Sequence, residues 1–413
     1  MKNKLLPYTI VLFFGIFLLF GCDTGNDIPR LNDTAVTAES LSQVVSANNQ
    51  FAFDLYSQYQ SKEGNLFFSP YSISTALAIA YEGAEGSTAQ EMQNVLHFPD
   101  DDSARRSAFA RLYNQVNQRD QEYILNTANA LWAQKEYKFK ADYLGRAADH
   151  YGGKVMNLDF IEETEEARMT INQWVQDETS GKIKDIIPAG VLNSLTKLVI
   201  TNAIYFKGNW AIRFDKSQTR ETDFKVSPQE IVKAQMMTVG GEKAVFFYAQ
   251  TDDLQILELP YEGEDISMLI LLPKEDSLEK VEKDLTIEKL SELKGMMKER
   301  QISVSIPRFS FETKYFMADA LKQMGMPSAF DPDKADFSGM TGANELYVTS
   351  LIHQAFIEVN EEGTEAAAST SISMGITSVR PDFFYADRPF IFIIQEKTTG
   401  TMLFIGRVSD PGK

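Results

Sequence analysis

The sequence predicts an α+β domain with large, mainly antiparallel β-sheets. Segments with helical spacing of apolar residues crowd the first half of the chain, and segments rich in β-branched and aromatic residues crowd the second. The chain has 413 residues, of which 44% are hydrophobic, so it can bury a large core. No linker, repeat or low-complexity break follows Glu39. Residues 39–413 are therefore predicted to form a single domain.

Two helices are predicted near the start of this domain. Residues 69–84, SPYSISTALAIAYEGA, begin with Ser69 as a predicted N-cap and Pro70 at the first helical position. Gly83 is predicted to end this helix. The preceding segment, residues 40–60, places five large apolar side chains on one broad helical face: Val44, Val45, Phe51, Phe53 and Leu55.

The predicted strands share a high content of apolar β-branched and aromatic residues. Residues 196–208, TKLVITNAIYFKG, form a continuous apolar run, which is typical of a strand buried on both faces. Residues 255–261 and 267–273 each have a proline at or near the end and are predicted to be neighbours. Residues 302–309, ISVSIPRF, alternate between apolar and polar side chains. Residues 390–408 are predicted to form two strands around a Thr-Thr-Gly turn.

The charge of the chain excludes several classes of partner. Acidic residues outnumber basic ones, 58 to 40, which gives a formal net charge of −18. Such a surface repels phosphate backbones and anionic lipid, and no basic cluster in the sequence overcomes it. The sequence therefore predicts no nucleic-acid partner, and it disfavours a polyanion such as heparin.

Cysteine and histidine are too scarce for most metal or thiol chemistry. Cys22 is the single cysteine, so the chain cannot form an internal disulfide. The three histidines are His97, His150 and His353, which makes a zinc site built on several histidines an unfavourable interpretation. The sequence therefore predicts no metal site and no cofactor.

The N-terminus is predicted to be an export signal. Residues 1–21 combine a basic start, MKNK, with an apolar run that ends at Gly21. A transmembrane helix is the alternative, because the run is nearly long enough to span a bilayer. The next feature favours cleavage: Leu19–Cys22, LFGC, resembles the lipobox of bacterial lipoproteins. In that motif the cysteine becomes the first mature residue and carries lipid.

Residues 22–38 are predicted to be a lipidated cysteine followed by a flexible tether, because the segment is polar and rich in turn-forming residues. Several acyl chains on one residue anchor a protein stably, where one chain binds only marginally. The resemblance implies an exported protein that contacts the bacterial envelope through its N-terminal lipid only. We expect the outer membrane as its location, with the domain facing either the periplasm or the cell surface.

Eight blocks of the sequence follow one another in a recognisable order. The first is Asn65–Met92, and the later ones are TANALWAQ, INQWVQDETSGKIKDII, LVITNAIYFKGNW, LELPYEGEDISMLILLP, MGMPSAFDPDKADFSGM, LIHQAFIEVNEEGTEAAAST and ADRPFIFIIQEKTTGTMLFIGRV. In this order they resemble the serpin family, and Asn65–Met92 is similar to its N-terminal signature. The blocks cover nearly all of the chain after the tether, and together they are far more specific than any one alone.

This resemblance implies a serpin fold with three β-sheets, about nine helices and an exposed reactive-centre loop near the C-terminus. In the family the loop baits a protease, is cut, and inserts as a new strand into the largest sheet. The resemblance therefore implies a protease inhibitor that acts as a suicide substrate, not an enzyme. Its partner would be a target protease, which ends as a trapped acyl-enzyme.

The segment Asn360–Ile376, NEEGTEAAASTSISMGI, has the alternation that insertion into a sheet requires. Successive side chains of a strand point to opposite faces. The uncharged set, which grows from small to large, is Thr364, Ala366, Ala368, Thr370, Ile372 and Met374. The other set, mostly polar or small, is Glu365, Ala367, Ser369, Ser371, Ser373 and Gly375. This pattern indicates a half-buried strand, whereas an ordinary solvated loop has no need of it.

The start of this segment matches the hinge of inhibitory serpins. In the family the matching hinge is a glycine followed by threonine and small residues, and members that do not inhibit tend to lack this pattern. Glycine can adopt backbone conformations that other residues resist, as a hinge must. The hinge residues that fit are Glu361, Gly363, Thr364, Ala366, Ala367 and Ala368.

Family spacing places the scissile bond at Thr377–Ser378, with a disagreement of one residue when it is counted back from Pro389. Arg380 is followed by Pro381, a bond that trypsin-like enzymes cut poorly. The neighbouring candidates for cleavage are Met374, Ile376 and Val379. These residues suggest a serine protease of elastase-like or subtilisin-like preference, and a cysteine protease of similar preference stays open.

The resemblance also assigns polar residues that regulate movement of the sheet. Ser69, Ser72, Asn202 and His353 match the family's shutter, a hydrogen-bonded cluster beneath the sheet where strands must part. Trp210 matches the tryptophan of the breach, where insertion starts. Buried polar groups of this kind need partners.

Two alternatives compete with inhibition. The first is a non-inhibitory serpin-fold binding protein, a carrier or adhesin whose loop is a plain substrate; the hinge composition argues against it. The second is a hydrolase that uses a serine with His353 as base. No serine lies in a G-x-S-x-G context, so the sequence shows no catalytic triad.

Overall fold

The computed structural model describes residues 30–117, 122–275, 278–364 and 382–413. Among these residues, no helix combines the length and apolar composition needed to cross a membrane. Within the described ranges the α-helices are α1 (Ala38–Tyr59), α2 (Pro70–Tyr81), α3 (Gly86–Leu96), α4 (Asp102–Val116), α5 (Ala141–Tyr151), α6 (Thr164–Glu178), α7 (Leu278–Asp284), α8 (Ile287–Met296), α9 (Ala318–Met324) and α10 (Ser338–Thr341).

The strands of the described ranges alternate with these helices early in the chain and follow one another later. They are β1 (Leu66–Phe68), β2 (Tyr123–Gln134), β3 (Lys154–Leu158), β4 (Leu198–Asn209), β5 (Arg220–Ser227), β6 (Glu230–Val239), β7 (Val245–Gln250), β8 (Leu254–Pro260), β9 (Ile266–Pro273), β10 (Lys298–Pro307), β11 (Phe309–Phe316), β12 (Val348–Val359), β13 (Gly363–Thr364), β14 (Asp382–Tyr385), β15 (Phe390–Glu396) and β16 (Met402–Val408).

Helices α1 and α2 begin where capping side chains satisfy their first backbone N–H groups. Thr37 and Ser40 form a capping box at α1, each side chain accepting from the backbone N–H of the other. The Ser69 hydroxyl accepts from the N–H of Ser72, and Pro70 occupies the first position of α2, as predicted. The predicted apolar face of α1 is buried in the main core. Helix α2 ends at Tyr81, two residues before the predicted stop.

The six-stranded sheet has the order β11-β12-β13-β4-β2-β3. Strand β4 is the predicted strand that is buried on both faces. One face of the sheet packs on α6, which contributes Ile171 and Val175 to a small core with Val199 and Ala203 of β4. The opposite face of β4 belongs to the main core, which explains why the run carries apolar residues without alternation.

The remaining strands form two further sheets that meet at β10. Strands β1, β16, β15, β9, β8 and β7 lie side by side, and the start of β10 pairs with β7. The end of β10 pairs instead with β6 and β14, and β5 completes this third sheet. The predicted pairs β8–β9 and β15–β16 are confirmed as antiparallel neighbours. Three sheets and ten α-helices within the described ranges confirm the fold that the resemblance implied.

The segment ISVSIPRF departs from simple alternation. Ser305 is buried, and the hydrogen bond between its hydroxyl and the Thr238 hydroxyl, at 2.6 Å, satisfies this polar group inside the sheet. Strand β10 ends at Pro307, and the next strand, β11, belongs to the six-stranded sheet. Residues 302–309 therefore pass from one sheet towards another.

The prediction that residues 22–38 form a flexible tether is wrong for residues 30–38, the part of this segment that the structure describes. Residues 30–37 pack against the rest of the molecule, and α1 begins at Ala38. Leu31 is only 5% exposed, and Asn114 of α4 forms hydrogen bonds with its backbone. The apolar side chain and the satisfied backbone groups hold this segment in place. Residues 1–29, including Cys22, lie outside the described residues.

Candidate functional site

Gly363 and Thr364 of the predicted inserting segment already lie inside the six-stranded sheet. Strands β4 and β12 pair in parallel, from Leu198 with Val348 to Tyr205 with Phe356. At one end of this pair, β13 lies between the two strands and runs antiparallel to both. Thr364 lies opposite Val359 on one side and Gly208 on the other. We call the boundary between β4 and β12 the slot. At one end of the slot the two strands are already separated by the two residues of β13.

Gly363 occupies a position that admits no other residue. Its φ of +153° is strained for any residue with a side chain. A Cβ atom there would lie 2.0 Å from the carbonyl oxygen of Gly208 and 2.5 Å from Cα of Asn209. The glycine thus permits close approach of the hinge to β4.

Aromatic side chains line the hinge. The hydroxyl groups of Thr364 and Tyr261 are hydrogen-bonded at 2.8 Å, and both residues are buried. The ring of Tyr261 stacks on Trp210, with 4.6 Å between ring centroids. Trp210 donates its indole N–H to the Asn360 carbonyl at 3.0 Å and its backbone N–H to the Glu362 carbonyl at 2.8 Å. The predicted breach residue therefore holds the chain that leads into β13.

Two acidic side chains beside the hinge are held by cations. The carboxylate of Glu361 accepts hydrogen bonds from Arg308 Nε at 2.8 Å and from the Thr219 hydroxyl. Burial opposes the ionisation of Glu361, but these hydrogen bonds outweigh it and hold its pKa below the usual range. The carboxylate of Glu362 is paired with Lys216 Nζ at 2.6 Å. The hinge is thus held by Arg308, which lies between β10 and β11, and by the 3₁₀ turn Lys216–Gln218 together with Thr219, the residue that follows it.

A row of polar side chains crosses the sheet farther along the slot. Asn129 of β2 lies opposite Asn202 of β4, and Asn202 lies opposite His353 of β12. The Asn202 amide donates to Asn129 Oδ1 and, at 2.6 Å, to the Ser72 hydroxyl, which itself donates to Asn129 Oδ1 at 3.2 Å. The Ser69 hydroxyl donates to the Leu403 carbonyl at 2.6 Å. The structure thus brings the four predicted shutter residues together on the core side of the slot.

His353 is held in its neutral form. Its Nε2 accepts from the backbone N–H of Ser69 at 3.2 Å, so Nδ1 carries the proton and donates to Asn202 Oδ1. Burial lowers the pKa of His353 to about 3. Both ring nitrogens are thus engaged with groups other than a serine hydroxyl. The hydrolase alternative would require His353 to leave these partners.

The structure also identifies residues that the sequence did not single out. Asn129, Tyr261, Arg308 and Thr219 all contact predicted site residues. An asparagine inside the apolar segment TANALWAQ was a usable signal for Asn129, because a buried polar group needs a partner. No comparable pattern marks the other three.

Several predicted residues lie outside the described residues: Ala366, Ala367, Ala368, Thr377, Ser378 and Cys22. In the part of the chain that the structure does describe, no cluster of three or more histidine, cysteine, aspartate or glutamate side chains could bind a metal ion.

Comparison with known proteins identifies the family. A family model described as "Serpin (serine protease inhibitor)" matches residues 46–411. The chain therefore belongs to the serpin family.

Relatives share this similarity along almost their whole length. A serpin-like protein of Thermococcus kodakarensis is 45% identical over 394 residues, which cover 94% of this chain and 91% of the relative. The human leukocyte elastase inhibitor is 39% identical and covers 90% of this chain and all of its own. The solved structure of human thyroxine-binding globulin with thyroxine superposes with a TM-score of 0.82 at 30% identity, covering 90% of this chain and 99% of that one.

Proposed function

We propose that this serpin inhibits proteases as a suicide substrate. A target protease cleaves the reactive-centre loop at Thr377–Ser378 or a neighbouring bond and forms an acyl-enzyme on the residue before the cut. The freed loop then enters the slot between β4 and β12 and carries the protease with it. The name of the leukocyte elastase inhibitor and the uncharged residues near the bond support a serine protease of elastase-like or subtilisin-like preference.

The observation that carries this proposal is the position of β13 in the slot. A strand that continued from Thr364 would run antiparallel to both β4 and β12, as β13 does. In that register, position 370 would lie opposite both His353 and Asn202. Insertion would therefore part the His353–Asn202 hydrogen bond. The set that begins with Thr364 would face the main core, and that set is uncharged.

The energy of insertion would be large. Roughly ten new ladder hydrogen bonds at about 1 kcal/mol each would contribute on the order of 10 kcal/mol. This value is similar to the whole stability of an ordinary domain, about 5–15 kcal/mol. The uncut fold would therefore persist only because the barrier to rearrangement is high.

Cleavage of the loop is expected to make the protein much more resistant to heat. Residues 23–413 would be nicked in the loop by limited proteolysis, and the unfolding temperature would be measured before and after. We expect the unfolding temperature to rise by about 10 °C or more. This shift equals the stabilisation by insertion, on the order of 10 kcal/mol, divided by the unfolding entropy, which is large for a domain of this size. An unchanged unfolding temperature would support the alternative, a serpin-fold binding protein with a substrate loop. The thyroxine complex of human thyroxine-binding globulin gives that alternative a precedent for the fold.

We also propose that the protein is exported and that lipid on Cys22 anchors it in the bacterial envelope. The support is the sequence: a basic and apolar leader followed by LFGC. The protein from cells is expected to partition into detergent, and a Cys22→Ser variant into water, because only the former can carry acyl chains. A Cys22→Ser protein that partitions like the wild type would contradict lipid anchoring and favour a transmembrane leader.

A further inference from the structure

The segment before α1 lies across α4. The Leu31 N–H donates to Asn114 Oδ1 at 2.9 Å, and Asn114 Nδ2 donates back to the Leu31 carbonyl at 3.0 Å. The Asp33 carboxylate, largely buried, is 2.9 Å from Arg111 Nε and 3.6 Å from Arg30. One polar side chain of α4 thus satisfies both backbone groups of Leu31, and a second side chain of α4, Arg111, pairs with Asp33.

The same segment also contacts α5. The Asn32 N–H donates to the Asp149 carbonyl at 2.8 Å, and His150 Nδ1 lies 3.1 Å from the Asn32 carbonyl. The Leu31 side chain reaches the end of α5, since a Cβ added at Gly152 would be 3.6 Å from its Cδ1. Residues 30–36 therefore connect α4 with α5, and we call this segment the N-terminal clasp.

The clasp lies between α1 and the helix that leads into one side of the slot. Helix α5 packs on α2 and α4 and continues through Gly152 and Gly153 into β3, the outermost strand on the side formed by β4, β2 and β3. The other end of the clasp continues into α1, which is tied to β16 by a hydrogen bond from Asn48 to the Met402 carbonyl. A new strand needs the slot to widen by about 4.8 Å. Movement of β3 and α5 relative to α1 would strain the clasp.

We propose that the N-terminal clasp restrains opening of the slot, so that weakening it accelerates loop insertion. This inference rests on the proposed function, because it requires that the loop can insert. It assigns a rate-controlling role to residues 30–36, which lie outside the segment matched by the family model. A ligand or a protease that displaced the clasp would thereby change how long the protein stays active.

The test compares the wild-type protein with a Leu31→Ala/Asn114→Ala variant. Each is incubated a few degrees below its own unfolding temperature, and the fraction that still traps protease is followed with time. We expect the variant to lose trapping at least about tenfold faster while gaining heat resistance, as premature insertion requires; tenfold corresponds to a barrier change of about 1.4 kcal/mol. Equal rates of loss in the two proteins would contradict the proposal that the clasp restrains the slot.

An Asn65→Ala variant is the matched control. Like Asn114, Asn65 uses its side-chain amide to hold the backbone of a terminal segment, here the C-terminal one. It accepts hydrogen bonds from the N–H groups of Ser409 and Asp410 and donates one to the Asp410 carbonyl. It precedes β1, which belongs to a different sheet from the slot, and its amide contacts the C-terminal segment. We expect it to lower the unfolding temperature without accelerating the loss of trapping. Equal acceleration by both variants would show a general effect of lost stability and would also overturn the clasp.

If loop cleavage raised the unfolding temperature of none of these proteins, the proposed function itself would fail, which is a different outcome from unchanged rates.

Discussion

An Ala368→Arg variant is expected to be cleaved by the target protease without trapping it. In the register set by β13, position 368 would lie between Ile204 and Ala355, both fully buried on the core side of the sheet. An arginine there would place an unpaired charge in the core, which costs several kcal/mol. Because each 1.4 kcal/mol slows a step about tenfold, hydrolysis of the acyl-enzyme should outrun insertion. The covalent band on a denaturing gel should fall at least about tenfold.

Ala367→Arg is the control for that experiment, because it makes the same substitution one residue earlier. Position 367 would lie between Tyr205, which is buried, and Phe356, which is partly exposed, on the other face of the sheet. Its arginine can extend towards solvent, so we expect most of the covalent band to remain. Equal loss in both variants, or equal retention, would contradict the alternation on which insertion depends.

A Gly363→Ala variant is expected to expel the hinge from the slot. The added methyl group would lie 2.0 Å from the Gly208 carbonyl oxygen, at a backbone φ that alanine rarely adopts. Residues 363 and 364 could then no longer lie between β12 and β4, and insertion would have to begin from outside the sheet. We expect faster amide exchange at Thr364 and a clear loss of trapping efficiency. Hydrogen exchange followed by mass spectrometry, with gel assays of trapping, checks both.

Gly190→Ala controls for backbone strain alone. Gly190 has a φ of +82°, but an added Cβ would have no heavy atom within 4 Å. We therefore expect a modest loss of stability with hinge exchange and trapping unchanged. Slow amide exchange at Thr364 in the Gly363→Ala protein would show that the hinge tolerates the methyl group. That result would contradict the claim that position 363 must be glycine because it lies so close to β4.

Local patterns predicted the elements of the fold well. The Ser69 cap with Pro70 marks the start of α2, because capping depends on neighbours in sequence. The Thr-Thr-Gly turn joins β15 and β16, and β8 pairs with β9 across a short connection. In each case, residues close in sequence decide the structure.

Features that depend on contacts between residues far apart in the chain could not be predicted from the sequence. Asn129 joins the shutter cluster only because β2 pairs with β4, more than seventy residues later. Residues 30–37 read as a tether because they are polar, yet Asn114 and Arg111 hold them on α4. The hinge composition was visible, but the insertion of Gly363 and Thr364 depends on space between β4 and β12.

Covalent trapping is the measurement that decides the proposed function most directly. Purified residues 23–413 would be mixed with pancreatic elastase, subtilisin, trypsin and papain, and the products analysed on denaturing gels and by intact mass. We predict a boiling-resistant species near the summed masses with elastase or subtilisin, and a released C-terminal peptide that begins at or near Ser378. Clean cleavage in the loop by every enzyme, with all of them still active, would contradict inhibition and leave a substrate or carrier.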